Sequence, residues 1–529
     1  MTLKKTVGEV LVDLLEHRGV DTVFGIPGVH TVEMYRGLAA SNIRHITPRH
    51  ELSAGFMADG YARASGKPGV CLLITGPGLT NAISAMAQAR ADSIPMLVIS
   101  GVNRIDTQGH ETGHLHELPD QGGMMRTIAV FTQTVQRGAD LEPILDRAFA
   151  AMTSGRPGPV HIEVPLDVMS EIIEIPKQRV VQTQLRHPAP QDLQTAADML
   201  AAAKRPVILA GGGTVAAQTP LISVAEKLDA PVVTTINARG VLGGHPLEVP
   251  ASPSLGAVRD LLAQADVVLA IGTQFGPTDY DMNVDGNFPQ LAHLIRIDVD
   301  ALQATRGVLP DLTIVGDAAL ALAGLSTALT THNNNADGTS RAEATRTAAF
   351  AELGPAYKEG VDLIKSIGEA LPGCLMVGDS TQLVYAGNCY ANIARPRGWF
   401  NSSVGYGSLG YGAPAAIGAR LAQPDAPVVC IIGDGGFQFC LSELGTAMDE
   451  DTPVIFLVWN NSGYQEIENY MVDAQIAPIG VRPSAPDFVK VAAAYGMGGE
   501  TVTDLSELVG AILRAHETGK PQLIEYTTD

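Results

Sequence analysis

Charge is scarce in this chain and lopsided where it occurs. Only 17% of the 529 residues are charged, and 35 lysines and arginines face 56 aspartates and glutamates. The formal net charge of −21 excludes a broad basic surface of the kind that binds nucleic acid or anionic membranes. Cysteine is sparse too. Cys71, Cys374, Cys389, Cys430 and Cys440 are odd in number, far apart and never in a CxxC pair, which excludes a disulfide or zinc framework and leaves reduced, buried thiols. No uninterrupted apolar stretch reaches the ~18 residues that suggest a membrane span. The first ten residues meet Glu9 without an apolar core, so no signal peptide is expected. These absences lead to the expectation of a cytoplasmic protein without nucleic-acid or membrane partners.

What the chain does have is core-forming material. Hydrophobic residues make up 46%, and the length suits roughly three domains at ~100–200 residues each. Short β-branched runs (Val70–Ile74, Met96–Ser100, Val207–Ala210, Val267–Ile271, Leu375–Val377, Val428–Ile432, Val454–Trp459) alternate with Ala-rich, helix-patterned stretches such as Thr80–Asp92 and Ala413–Leu421. That alternation predicts repeated βαβ units: an α/β protein with parallel sheets covered on both faces. Composition shifts at Pro176–Pro190 and Thr330–Thr345 suggest linkers. In the middle segment, Gly211-Gly212-Gly213 follows a strand and could approach a phosphate. No full dinucleotide fingerprint follows it, and a simple chain reversal is the favoured reading.

The chemistry concentrates near the C-terminus. One apolar strand, Val428–Ile432, runs into Gly433-Asp434-Gly435-Gly436; a second, Val454–Trp459, ends at Asn460-Asn461-Ser462-Gly463. The 27 residues from Asp434 to Asn461 leave room for a crossover helix between parallel neighbours, so both turns should meet at the carboxyl edge of one sheet. A carboxylate from Asp434, an amide oxygen from Asn461 and the Gly463 carbonyl are hard donors suited to Mg²⁺. Gly435 and Gly436 would let a diphosphate approach a helix N-terminus.

Gly433-Asp434-Gly435 with Asn460-Asn461 resembles the thiamine-diphosphate signature of the 2-oxo acid decarboxylase and acetolactate synthase family. The N-terminal segment carries further matches. Phe24-Gly25-Ile26-Pro27-Gly28 resembles the family's glycine loop, and Arg49-His50-Glu51 running on to Ala62-Arg63 resembles the helix of its cofactor-activating glutamate. Thr75-Gly76-Pro77-Gly78 with Asn81 resembles the loop beside the aminopyrimidine ring. The resemblance covers essentially the whole chain and implies three doubly wound parallel-sheet domains: pyrimidine-binding (1–175), middle (190–330) and diphosphate-binding (345–529). It implies that Asp434, Asn461 and Gly463 hold the metal, that Glu51 activates the cofactor, and that Leu409 is the apolar wedge beneath its rings. Cofactor contacts fall by the same resemblance on Gly25, Pro27, Thr75, Gly76, Asn81, Ser380, Thr381, Gln382, Gly433, Gly435, Gly436 and Tyr464. A homodimer or homotetramer is implied as well, with Glu51 and Asp434 meeting across an interface.

The implied substrate is a 2-oxo acid. His116 is the second catalytic candidate, and His30, Glu466 and Ile467 are substrate-side candidates, with Glu468 beside them. The histidines His110, His114 and His116 are poor choices as Mg²⁺ ligands. Pyruvate and indolepyruvate decarboxylases carry an adjacent His-His pair; this chain has none, and Ile467 falls where those enzymes place a Glu. Thr75–Gly78 is more like the loop of acetolactate synthases, yet Gly463–Ile467 lacks their pattern. The overall texture is most similar to decarboxylases of 5-guanidino-2-oxopentanoate, in which Glu466 and Glu468 would suit a cationic tail. The leading expectation is therefore non-oxidative decarboxylation to an aldehyde, dependent on thiamine diphosphate and Mg²⁺. The alternative is an acetolactate-synthase-like carboligase joining two carbonyl fragments, with FAD in the middle domain; the leading reading does not favour a flavin.

Overall fold

The apolar runs become strands with no solvent face. Gly69–Leu73, Met96–Val102 and Val428–Gly433 are buried at every position, so helices must cover both sides of the sheets that contain them. The structure, a computed structural model, describes residues 4–177, 181, 183–282, 284–329 and 337–528. Residues 178–180 and 182 of the first expected linker, and 330–336 of the second, lie outside the described residues.

Among the described residues there are three six-stranded, fully parallel sheets and a small antiparallel pair, Lys4–Thr6 with Ile172–Glu174. The first sheet runs Arg44–Ile46, Thr22–Phe24, Gly69–Leu73, Met96–Val102, Pro159–Pro165, Phe131–Thr134. The third runs Trp399–Asn401, Leu375–Gly378, Val428–Gly433, Val454–Asn460, Gln522–Thr527, Gly498–Val502. Numbered in chain order within each sheet, both read 2-1-3-4-6-5; the middle sheet, from Glu248–Val249 to Leu312–Val315, reads 3-2-1-4-5-6. The middle order reverses once, and the other two reverse beside strand 1 and step back again at the far edge; ligands of such sheets bind at the carboxyl ends of the strands flanking the central reversal. In the third sheet the flanking strands are Leu375–Gly378 and Val428–Gly433, which lead into Ser380-Thr381 and Gly433-Asp434. In the first they are Thr22–Phe24 and Gly69–Leu73, which lead into Gly25–Gly28 and Thr75–Gly78.

The first and third sheets are joined through their helices. Glu51–Ser65 lies directly on Gly412–Ala422, with Gly60 against the Ala415 carbonyl and Gly418 against that of Met57. A buried charge network sits at this joint. Arg63 donates to Asp59 (2.6 Å) and Asp92 (2.6 Å), Tyr411 donates to Asp59 (2.6 Å), and Arg63 reaches Asn237 of the middle domain (3.3 Å). The helix Gly338–Glu352 spans the expected start of the third segment and packs on the middle sheet through Ala342 and Ala349. All five cysteines are buried and free, and among the described residues no helix is long and apolar enough to cross a membrane.

One buried acid gives the fold a measurable pH dependence. Glu248, on the edge strand of the middle sheet, accepts the Gly244 N–H (2.7 Å), while its Oε1 has no partner. Burial pushes its carboxyl up to about 7, against the opposing pull of the Gly244 N–H, Arg239 and Arg346. A folded-state pKa above the unfolded value contributes stability at low pH that is lost as pH rises through the folded pKa. The melting temperature should therefore be higher near about pH 5 than near about pH 8, and Glu248→Gln should flatten that difference. Scanning calorimetry giving wild type and variant identical pH slopes would contradict this.

Candidate active site

At the reversal point of the third sheet, two strand ends bring oxygen atoms together. Asp434 is 1% exposed; its Oδ1 accepts the Asn461 N–H (3.4 Å) and its Oδ2 has no partner. Burial raises this carboxyl above the ordinary range, and the surrounding backbone N–H groups pull it back. The Asn461 side-chain NH₂ donates to the Gly463 carbonyl oxygen (2.9 Å) and to Asp434 Oδ1 (3.2 Å), so the three groups converge on one point. A buried carboxylate oxygen without a partner, beside an amide and a main-chain carbonyl, is the donor chemistry that fits a cradle for a hard cation. Among the described residues no group of three His, Cys, Asp or Glu side chains is arranged as a metal site, so any ion here relies on this mixed set.

Two glycines make the cradle. Gly463 has φ +146°, and a Cβ there would lie 2.4 Å from the Val481 carbonyl oxygen; the next residue, Tyr464, donates its N–H to that same oxygen (2.8 Å). A Cβ on Gly435 would lie 2.5 Å from the Tyr464 ring, so only glycine lets the ring come this close. Gly433 faces Thr381 Oγ1. The expected helix N-terminus after Asp434 is a single turn, Asp434–Phe437.

Asp379 completes this group and escaped the sequence reading. It is fully buried, accepts the Ser380 N–H (2.7 Å) and the Gly412 N–H (3.1 Å), and faces Gly436. Burial pushes it up to about 6. It thereby ties the Ser380-Thr381-Gln382 turn to the start of the helix following Leu409. Leu409 itself is half-buried and stands outside the hydrophobic core.

The N-terminal residues form a second group. Glu51 opens its helix, where the exposed N–H groups suit an acid, behind an N-cap made by His50. Its Oε2 accepts from Asn81 (2.9 Å), and Gly78 packs close to Oε1. Thr75 Oγ1 is buried without a partner, and the Gly76 N–H donates to Gln121 (3.0 Å). Gln121, another residue the sequence reading missed, also donates to Ser100, Gly101 and Glu163. Gly25 is buried beside the Leu72 carbonyl, whereas Pro27 is exposed.

His30 and His116 come from separate loops yet stack edge to face, ring centroids 5.1 Å apart. His30 is 8% exposed with Nδ1 unpartnered, and burial together with His116 holds its pKa below the usual imidazole range. The chain without an adjacent His-His pair thus builds a spatial one. On the C-terminal side, Glu466 is half-buried and Ile467 exposed. Beside them, Arg482 donates to the Glu468 carboxylate through Nε (3.0 Å) and Nη2 (2.7 Å).

Three family models match the chain. The Thiamine pyrophosphate enzyme N-terminal TPP binding domain matches residues 5–124, the central domain 193–325, and the C-terminal TPP binding domain 379–526. A probable 2-ketoarginine decarboxylase of Pseudomonas aeruginosa is 42% identical, over 95% of this chain and 90% of the relative. The chain belongs to the thiamine pyrophosphate enzyme family. The family expectation from Gly433-Asp434-Gly435 and Asn460-Asn461 is borne out, as is the α/β class with three parallel-sheet domains. Within the family, a probable acetolactate synthase large subunit of Methanococcus aeolicus is 30% identical over 98% of this chain and 92% of its own length. The acetolactate synthase isozyme 1 large subunit of Escherichia coli is 32% identical over 94% and 89%.

Proposed function

We propose that this thiamine pyrophosphate enzyme decarboxylates a 2-oxo acid to an aldehyde, with 5-guanidino-2-oxopentanoate as its substrate. The buried Asp434 carboxylate, its Oδ2 without a partner beside Asn461 and Gly463, carries the reading, because that donor set suits Mg²⁺ with a diphosphate completing its shell. Gly433, Gly435, Gly436, Ser380, Thr381, Gln382 and Tyr464 would hold the diphosphate side. Gly25, Pro27, Thr75, Gly76 and Asn81 would hold the pyrimidine side, with Leu409 as the apolar support between. When bound, thiamine diphosphate supplies the electron sink for carbon dioxide loss.

The protein's own work is positional and protonic. Asn81 engages Glu51 Oε2 and leaves Oε1 to exchange a proton with the pyrimidine. His30, held below the usual imidazole range, would serve as a proton acceptor, with His116 packed edge to face beside it. We assign Glu51 and Asp434 to opposite subunits of one site in a homodimer or homotetramer.

The test is a panel of 2-oxo acids with basic, aromatic, branched and acidic tails, scored for carbon dioxide and aldehyde. Activity should vanish with EDTA and return with Mg²⁺ plus thiamine diphosphate. The guanidino acid should lead the panel; an aromatic or acidic preference would remove the substrate assignment. The similarity to a 2-ketoarginine decarboxylase supports that choice.

A carboligase remains the second reading because of one feature. A cavity of about 620 Å³ opens at the reversal point of the middle sheet, beside Gly212, Gly213, Thr273 and Asp298, and is large enough for a nucleotide. Acetolactate formation from pyruvate, together with a flavin spectrum in the purified protein, would favour it.

A further inference from the structure

Glu443 is a fully buried acid at the start of the helix Glu443–Asp449, just beyond the Asp434–Phe437 turn, yet its carboxylate reaches a main-chain group of the N-terminal segment. Oε1 and Oε2 both accept the N–H of Arg49, 394 residues away in the chain (3.1 and 3.2 Å). Oε2 also accepts the Thr446 hydroxyl (2.7 Å). The Arg49 side chain crosses the same boundary: it donates to Asp449 (2.6 Å) and lies over Gly445, where a Cβ would come within 3.1 Å of its Nη2.

Burying a carboxylate costs free energy that an apolar side chain at this joint would not. What the acid provides is a directed acceptor at the turn leading into the helix Glu51–Ser65. The rest of that turn is braced from within. His50 caps the Leu52 N–H (3.1 Å), and its carbonyl accepts the Ala54 N–H (3.1 Å). Those bonds shape the helix start; the Glu443 bond fixes where its main chain sits against the third sheet's helices. Glu443 is itself tied back to the metal cradle. The Phe439 N–H donates to the Gly436 carbonyl (3.2 Å), Cys440 to Phe437 (3.0 Å) and Glu443 to Cys440 (3.0 Å), an unbroken series of turns from Asp434–Phe437 onwards.

We propose that Glu443 is a positioning residue for Glu51: by holding the Arg49 N–H it sets where the Glu51 carboxyl is presented to the pyrimidine. A proton-exchanging carboxyl works only within hydrogen-bond reach, and a displacement of ~1 Å can cost ~10²-fold. The proposal rests on the role given to Glu51 above and extends it to the residue that places Glu51.

The test follows exchange of the C2 proton of bound thiamine diphosphate for deuterium, which reports on Glu51 without any 2-oxo acid. Glu443→Ala should slow that exchange ~10- to 100-fold. Glu443→Gln, which keeps an acceptor oxygen for the Arg49 N–H, should recover most of the rate. In a Glu51→Gln background, Glu443→Ala should cost no more than about twofold, because nothing is left to position. In the cofactor-free protein, deuterium uptake by the peptide spanning residues 47–54 should rise in Glu443→Ala and stay at the wild-type level in Glu443→Gln. Should Glu443→Ala fail to fold, Thr446→Val removes the hydroxyl from Oε2 and should slow C2 exchange a few-fold, an effect again absent in the Glu51→Gln background. Wild-type C2 exchange in these variants, or an equal loss in both backgrounds, would overturn the proposal and leave Glu51 its role. Wild-type exchange in Glu51→Gln would remove that role and the proposal together.

Discussion

Asp434→Ala should leave a folded protein with no detectable turnover and with affinity for Mg²⁺ and thiamine diphosphate weakened by more than ~100-fold. Asp434 is the only charged donor in the cradle, and its Oδ2 has no structural task. Alanine removes the charge that draws the ion in, whereas Asn461 and Gly463 contribute only neutral oxygens. The cofactor-free variant should not be destabilised at neutral pH. The Asp434 carboxyl is raised above its ordinary range, so any stability it contributes belongs to low pH and is lost as pH rises. Trp459, paired with Gly433 in the sheet register, offers a fluorescence signal for the binding titration. Wild-type affinity in this variant would dissociate the metal assignment from Asp434.

Glu51→Gln should behave in the opposite way: it keeps the cofactor and loses the rate. Glutamine can retain the contact with Asn81, but it has no acidic proton to exchange. The loss of an acid–base group is typically worth ~10²- to 10⁴-fold, read here in kcat with little change in cofactor binding. The two inactive variants also test the assembly. Mixed Glu51→Gln and Asp434→Ala subunits should recover part of the wild-type activity if each site draws on both chains. An active monomer in sedimentation at assay concentration would rule that arrangement out.

The meeting of Asp434 with Asn461 was legible because its signals are local. Gly433-Asp434-Gly435 and Asn460-Asn461 each end a strand, and a strand end in a parallel sheet can only point to the carboxyl edge, so the spacing placed them side by side. Glu51 and Asn81 were legible through their flanking residues. Asp379 was not. An acid followed by Ser-Thr at a strand end reads as an ordinary solvated turn, and only the sheet order places it beneath Gly412 and Gly436. Gln121 was hidden for a similar reason, since it reaches Gly76 from the start of a short helix 45 residues away.

The sequence by itself determined the fold class and the cofactor chemistry. Strands without polar alternation must be covered on both faces, and the residue types that hold a hard cation or acidify a helix start are read one position at a time. Only the tertiary structure decided partnership. It paired His30 with His116 across separate loops and gave Glu468 to Arg482. The same carboxylate is a solvated ion, half of a salt bridge or a ligand for a cation according to what the rest of the chain brings within a few ångströms, and no sequence interval encodes that distance.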